Sequence, residues 1–485
     1  MYDIFAWLDA PASQNTGDEL AALHAHLKSL RHSTVLPAEH ATFLARLFSR
    51  CLLAANTLTP KLSSSSLPIP RKTRQLVRSL QDLLQELGCD LATLAPRLND
   101  NDTETQTEVL WQSLVALSQH LLISDLVAAP ATAGIWLQLH QSHEMARQLG
   151  LVDRIPKNEV KSLQEIYYSA ILLGCAQPAS LSSAEVVFVA INVGQFAKHI
   201  ELINDSEADT PAAFWIDPAK DSPAVACTRK PAPPETPVHF FSCAQIAETL
   251  KQLLCAVESG LPTPELNADA FAHTNAGRGV MRRLIANWGE PGKRRFTRRR
   301  QSDRANLYAG LDCLWKLFHN QASVDSDAST WMITNQSPDG YTVMHLSGNV
   351  GEIRVGDICA VRTESENEWK VGIIRWIQSE NQEHLELGLQ ILATQAVSAS
   401  LAQPEATRQH PTHSHSSVLV LPGTPPLRSA EMLVTASGTV SIQPKNLVLI
   451  VEKENLGIRE VINTRLHEQN SQIEVFAIVT NETNN

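Results

Sequence analysis

The chain has no run of about 18 apolar residues, which argues against a transmembrane helix. It has no Cys-x-x-Cys pair. Its eight cysteines, from Cys51 to Cys359, are scattered, and several sit in apolar surroundings such as Leu253 to Val257. That pattern predicts reduced, buried thiols rather than a metal knuckle or a redox pair. No Gly-x-Ser-x-Gly elbow occurs. Gly289 to Lys293 ends in Gly-Lys, but Asn287 and Arg294 occupy positions where a phosphate-binding loop needs other residues. His143-Glu144 and His467-Glu468 lack the second histidine of a zinc protease, and His410, His413 and His415 have no cysteine partner. The first residues, Met1 to Asp9, carry acids where a signal peptide needs bases. These absences predict a cytoplasmic protein with neither cofactor nor metal, and not an enzyme.

What is present is an ordinary globular composition, 43% hydrophobic and 19% charged, over 485 residues. That length exceeds a single core and predicts two to four domains. The formal net charge of −11 argues against bulk nucleic-acid binding by the whole chain.

Residues 1–260 read as an all-helical bundle or solenoid. Leu76, Leu80, Leu83, Leu84 and Leu87 line one face of a helix, with Pro70 at its start and Gly88 as its predicted C-cap. Leu110, Leu114, Leu117 and Leu121 repeat the pattern. Ser182 and Glu185 form a capping box before Val186, Val189 and Val193. Residues 158–173 and 244–257 are further candidates. No repeat is evident. The Pro- and Asp-rich segment 205–242 predicts an irregular insertion, with strand-like pieces at Ala213 to Ile216 and Val238 to Phe241.

Residues 261–290 read as a linker holding one short helix, with Val280, Met281, Leu284, Ile285 and Trp288 on one face. From about 328 the hydrophobic period becomes two, and short strands alternate with Gly, Asn and Asp turns, which predicts a barrel or sandwich. Residues 398–415 have linker composition. Residues 416–485 resume strand patterns at 417–421, 431–435, 447–451 and 473–479, a second β unit that is either separate or added to the first.

Two motifs carry chemistry. Lys293-Arg294-Arg295-Phe296-Thr297-Arg298-Arg299-Arg300 is a dense cationic run in an acidic chain, a solvated stretch or an anion site. Five of its six cations are arginines, whose planar guanidinium forks to phosphate or to a guanine edge. Asn335-Gln336-Ser337-Pro338-Asp339-Gly340 is by itself a turn, or else a small polar cup for a base and a ribose-phosphate.

In this order, and followed by this strand series, the two motifs resemble the PilZ domain, the bacterial receptor module for cyclic di-GMP. Its signature is Arg-x-x-x-Arg followed by Asp/Asn-x-Ser-x-x-Gly on a six-stranded barrel. The resemblance covers about 291–395, with Ile353 to Asp357, Val371 to Trp376 and Leu387 to Ile391 like the later strands. It implies that Arg294 and Arg298 bind the guanines and phosphates and that Asn335, Ser337 and Gly340 cup the other face. Arg295 and Arg299 have the same spacing, so the register stays open. The run Leu307 to Phe318 separates the motifs more than usual and is read as a first strand turning into a short helix. Neither Gly-Gly-Asp-Glu-Phe nor Glu-Ala-Leu, the marks of the enzymes that make and degrade the ligand, occurs.

The expected fold is thus multidomain α + β: a helical domain (1–260), a linker (261–290), a PilZ-like six-stranded antiparallel barrel (291–397), a linker (398–415) and a C-terminal β-rich extension (416–485). The expected function is a cyclic di-GMP effector that signals to a protein partner through its helical domain. Motility or surface attachment is the output the resemblance implies. The alternatives are a nucleic-acid-binding or scaffold protein that uses 293–300 on phosphates, and a degenerate PilZ module that binds only proteins.

Overall fold

The computed structural model describes residues 7–99, 101–293, 296–319, 328–380, 384–402, 416–423, 430–452 and 456–480. Among these, a helical domain precedes two closed barrels of six antiparallel strands each.

The leucine periodicities become the core helices. α1 (Thr16–Arg31), α2 (Pro37–Ser63), α3 (Arg71–Leu94) and α4 (Thr103–Leu126) pack with Leu80, Leu84, Leu114 and Leu117 wholly buried. α3 does not stop at Gly88. It continues to Leu94, and Gly88 sits where α4 presses closest: a Cβ there would stand 2.8 Å from the Leu117 side chain, and Ser113 Oγ donates to the Gly88 carbonyl at 2.8 Å. The glycine admits a neighbouring helix rather than ending its own.

α5 (Ile135–Gln148) follows. α6 (Leu163–Cys175) starts at a capping box of Ser162 and Glu165, later than the expected residue 158, because Asn158 has a left-handed φ of 72°. α7 (Ser183–Phe196) opens on the expected Ser182–Glu185 box. The insertion forms a small sheet of β1 (Glu201–Ile203), β2 (Ala213–Ile216), β3 (Val225–Ala226) and β4 (His239–Ser242), in the order β1-β4-β2-β3. α8 (Ala244–Glu258) closes this stretch.

Residues 261–290 are more than a connection. They hold α9 (Asp269–Ala272) and α10 (Asn275–Gly289), and Val280, Met281, Leu284 and Trp288 are buried in the helical core. Trp288 Nε1 donates to the Leu172 carbonyl at 3.1 Å, and Arg283 pairs with the buried Glu185 of α7. The expected apolar face exists, and the core it completes is that of the helical domain.

The first barrel comprises β5 (Arg299–Ala309), β6 (Ser329–Ser337), β7 (Gly340–Ser347), β8 (Ile358–Thr363), β9 (Lys370–Ser379) and β10 (Leu385–Ala393), closed as β10-β7-β6-β5-β8-β9. α11 (Leu311–His319) follows β5, so the run 307–318 is the expected strand turning into a helix. β11 (Val397–Ala402), β12 (Ser416–Leu421), β13 (Glu431–Ala436), β14 (Asn446–Glu452), β15 (Leu456–Gln469) and β16 (Ile473–Thr480) close on themselves as the second barrel. β11 begins at Val397, the last residue of the expected first-barrel domain, and runs into the expected linker 398–415; residues 403–415 lie outside the described residues.

The barrels share a core. Leu314 and Leu317 of α11 and Ile358 and Ile373 of the first barrel pack with Leu419, Leu421, Val434 and Val475 of the second. The helical domain grips the first barrel through Arg74, whose Nη1 and Nη2 donate to the Ser379 carbonyl and hydroxyl, both at 2.9 Å and buried. The eight cysteines are all free. Cys51, Cys175, Cys243 and Cys359 are buried, and burial pushes each thiol up, Cys175 to about 12. Cys255 is exposed, contrary to its apolar sequence context, because the core-facing side of α8 is Ile246, Ala247, Leu250 and Val257.

Burial also raises Asp357, ahead of β8, from 3.8 to about 6, against the opposing effect of the Arg354 N–H that it accepts at 2.8 Å. Between those two values the folded chain holds a proton that the unfolded chain has released. Stability therefore falls as pH rises through this window, by an amount on the order of 2–3 kcal/mol. Denaturant titrations at pH 4 and pH 7 should show this decline, and Asp357→Asn should remove it.

Candidate functional site

The β6–β7 hairpin positions the second motif. Asn335, Gln336 and Ser337 end β6, Pro338 and Asp339 turn the chain, and Gly340 begins β7. Ser337 Oγ lies 2.9 Å from Asp339 Oδ1 and 3.2 Å from the Gly340 carbonyl, so its one proton serves the turn while its lone pairs remain acceptors. Gly340 answers to the barrel: opposite Gln390 on β10, a Cβ would stand 2.3 Å from the Leu389 carbonyl oxygen. Gly340→Ala must part the β7–β10 seam. The expected loss of barrel stability is about 1–3 kcal/mol, read from urea denaturation.

The basic stretch reaches the same corner. β5 begins within it, and its ladder to β6 sets Arg299 opposite Gln336 and Arg300 opposite Asn335. Arg298 Nη1 donates to Thr342 Oγ1 at 3.2 Å, and Thr342 itself faces Asn335 on one side and Gly388 on the other. Folding thus joins the two motifs edge to edge. The side chains of Arg298, Arg299 and Arg300 are exposed, which leaves a solvated cationic rim. Arg294 and Arg295 lie outside the described residues.

Beside this corner opens a cavity of about 630 Å³, within the ~300–1,000 Å³ usual for small-molecule sites. Gln336, Ser337 and Asp339 form one side, and Gln390 to Ala393 at the end of β10 form another. Asn335, Gly340 and Arg298 flank the cavity without lining it. Sequence reasoning missed Tyr341, Lys370, Met432 and His467 among the lining residues. Lys370 donates to Tyr341 Oη at 2.9 Å and to Glu366 Oε1 at 2.5 Å, placing an ammonium and a phenol together on the wall. Phe296, between the arginines, projects onto the mouth. Met432 and His467 come from the second barrel. Phe296 was the one legible signal, a lone aromatic in a cationic run. Nothing local marks Met432 or His467, which reach the site only through the docking of the barrels.

The arrangement suits an anion that carries flat rings: cations at the rim, hydroxyl and amide acceptors on the hairpin, and an aromatic at the mouth. Among the described residues, no group of three or more His, Cys, Asp or Glu could hold a metal ion, and no helix is long and apolar enough to cross a membrane.

Comparison with known proteins bears on both halves. Residues 3–207 match the family model described as "Cyclic-di-GMP receptor FimW, N-terminal domain", and residues 316–397 match "Cyclic-di-GMP receptor FimW, middle PilZ domain". The second match opens inside α11, so β5 and the basic stretch lie outside it. A curated relative, "Cyclic-di-GMP receptor FimW" of Pseudomonas aeruginosa, is 20% identical over 496 aligned positions that cover 84% of this chain and 79% of the relative. The first barrel is therefore a PilZ domain, and the chain belongs to the PilZ-domain proteins that carry an N-terminal helical domain.

Proposed function

We propose that the chain is a receptor for cyclic di-GMP that transmits ligand level to a protein partner, and that it acts in the cytoplasm without catalysing a reaction on its ligand. The observation that supports this reading is the pairing of Arg299 and Arg300 with Gln336 and Asn335, which sets the end of the basic stretch against the hairpin motif whose Gln336 and Ser337 line the cavity. Arg298 and Arg294 hold the guanines and phosphates, with Arg299 and Arg295 as the alternative register. Asn335 and Ser337 accept from the ligand's other face, and Gly340 keeps the hairpin close to β10.

The relay follows from connectivity. α10 is packed in the helical core and leads within a few residues into the basic stretch. A dianion drawing that stretch against the barrel acts on the helical domain through a rigid helix. The shift it produces is set by its differential affinity for the two arrangements.

The test is calorimetric titration of the full chain with cyclic di-GMP, with GTP and duplex DNA as competitors. Saturable heat at micromolar ligand that neither competitor abolishes supports the reading. No heat, or equal competition by DNA with steep salt dependence, overturns it in favour of a general phosphate-binding surface.

A further inference from the structure

We propose that the second barrel forms part of the ligand site, with Met432 and His467 contacting bound cyclic di-GMP, so that the ligand bridges the two barrels. This rests on the receptor reading and adds to it a role for the C-terminal barrel.

The cavity has walls from both barrels. Met432 enters from β13 and His467 from β15, facing the hairpin and the end of β10 in the PilZ domain. Both are suited to the ligand chemistry. A thioether packs against an aromatic ring face or edge, and an exposed imidazole can stack on a base or hydrogen-bond its edge.

The wall is held in place by the residues that follow His467. Glu468 Oε2 accepts from Arg375 at 2.6 Å, and Arg375 Nε in turn donates to Gln390 Oε1 at 2.7 Å, so a cavity residue of the PilZ domain is fixed through the second barrel. Gln469 Oε1 accepts from Arg282 of α10 at 2.6 Å, and the Gln469 carbonyl lies where a Cβ on Gly279 would be, only 2.2 Å from it. Asn470 Nδ2 donates to the Gly356 carbonyl at 3.0 Å. Four consecutive residues of the second barrel thus touch the cavity, the PilZ barrel and the helix that leads into the basic stretch. A ligand that contacts His467 pulls on all three.

The experiment compares the full wild-type chain with His467→Ala and Met432→Ala by titration with cyclic di-GMP. Thermal unfolding of the unliganded proteins and hydrogen exchange of residues 462–470, with and without ligand, accompany it. The expected result is a loss of affinity of about three- to tenfold in each variant. His467→Ala should unfold within a few degrees of the wild-type temperature, since His467 is exposed and belongs to none of the hydrophobic cores, and exchange in 462–470 should slow on ligand addition to the wild type. Wild-type affinity in His467→Ala together with unchanged exchange in 462–470 overturns the proposal and leaves the ligand on the PilZ barrel alone. A wild-type chain that gives no heat removes the receptor reading itself, a result distinct from the first.

Discussion

Arg298→Ala lowers the affinity of the chain for cyclic di-GMP by about 10- to 100-fold while the barrels stay folded. The magnitude is that of one or two charge-assisted hydrogen bonds, about 1.5–3 kcal/mol. Arg298 is an exposed residue, and its bond to the buried Thr342 Oγ1 at 3.2 Å is worth about 0.5–1.5 kcal/mol, too little for its loss to unfold the barrels. Arg298→Lys should recover only a small part of the loss, because an ammonium keeps the charge but not the planar fork. The same titration decides the register. If Arg298→Ala binds as wild type and Arg299→Ala does not, the pair is Arg295 with Arg299. If neither matters, the cationic run is a solvated rim and the clamp is wrong. Near-ultraviolet circular dichroism of each variant separates lost binding from lost structure.

Trp288→Ala destabilises the helical domain by about 3–5 kcal/mol, the usual loss for a large aromatic removed from a core. Trp288 is wholly buried, meets Phe196 edge-on with ring centroids 5.8 Å apart, and donates its indole N–H to Leu172. Truncation leaves a cavity between α6, α7 and α10 and removes one of the two hydrogen bonds that the Leu172 carbonyl accepts, the Ala176 N–H remaining at 2.9 Å. The measurement is denaturant unfolding followed by far-ultraviolet circular dichroism, in which the helical transition should shift to lower denaturant. An effect near zero would mean that 261–290 is the mere connection its Pro-rich start suggests. Because α10 leads into the basic stretch, the variant should also weaken ligand binding if helix position and site are linked.

Much of this molecule is legible in short windows of sequence. Leucine spacing in α3 and α4, the Ser182–Glu185 box and the change of hydrophobic period near residue 328 each depend on neighbours a few residues apart. Misreadings came where a residue answers to a distant one. Gly88 has the look of a cap but makes room for Leu117. β15 went unseen because bulges between Asn463 and Arg465 and between Leu466 and Glu468 break its alternation, and its exposed positions carry Arg, Glu and His. β11, built of Val, Ser, Ala and Leu, has linker composition yet pairs on both sides, with β12 and β14.

The candidate site divides in the same way. The sequence alone determined the helical and β halves, the PilZ signature and the six cations of 293–300, because periodicity and motif spacing are local properties of the chain. Tertiary structure decided that the second β unit closes as its own barrel, that α10 belongs to the helical core, and that Met432 and His467 face the cavity. Those outcomes depend on contacts such as Arg74 with Ser379 and Asn470 with Gly356, which link residues far apart in the chain. Barrel closure and a cavity between domains arise only when such distant groups are packed together, and no local pattern encodes the pairing.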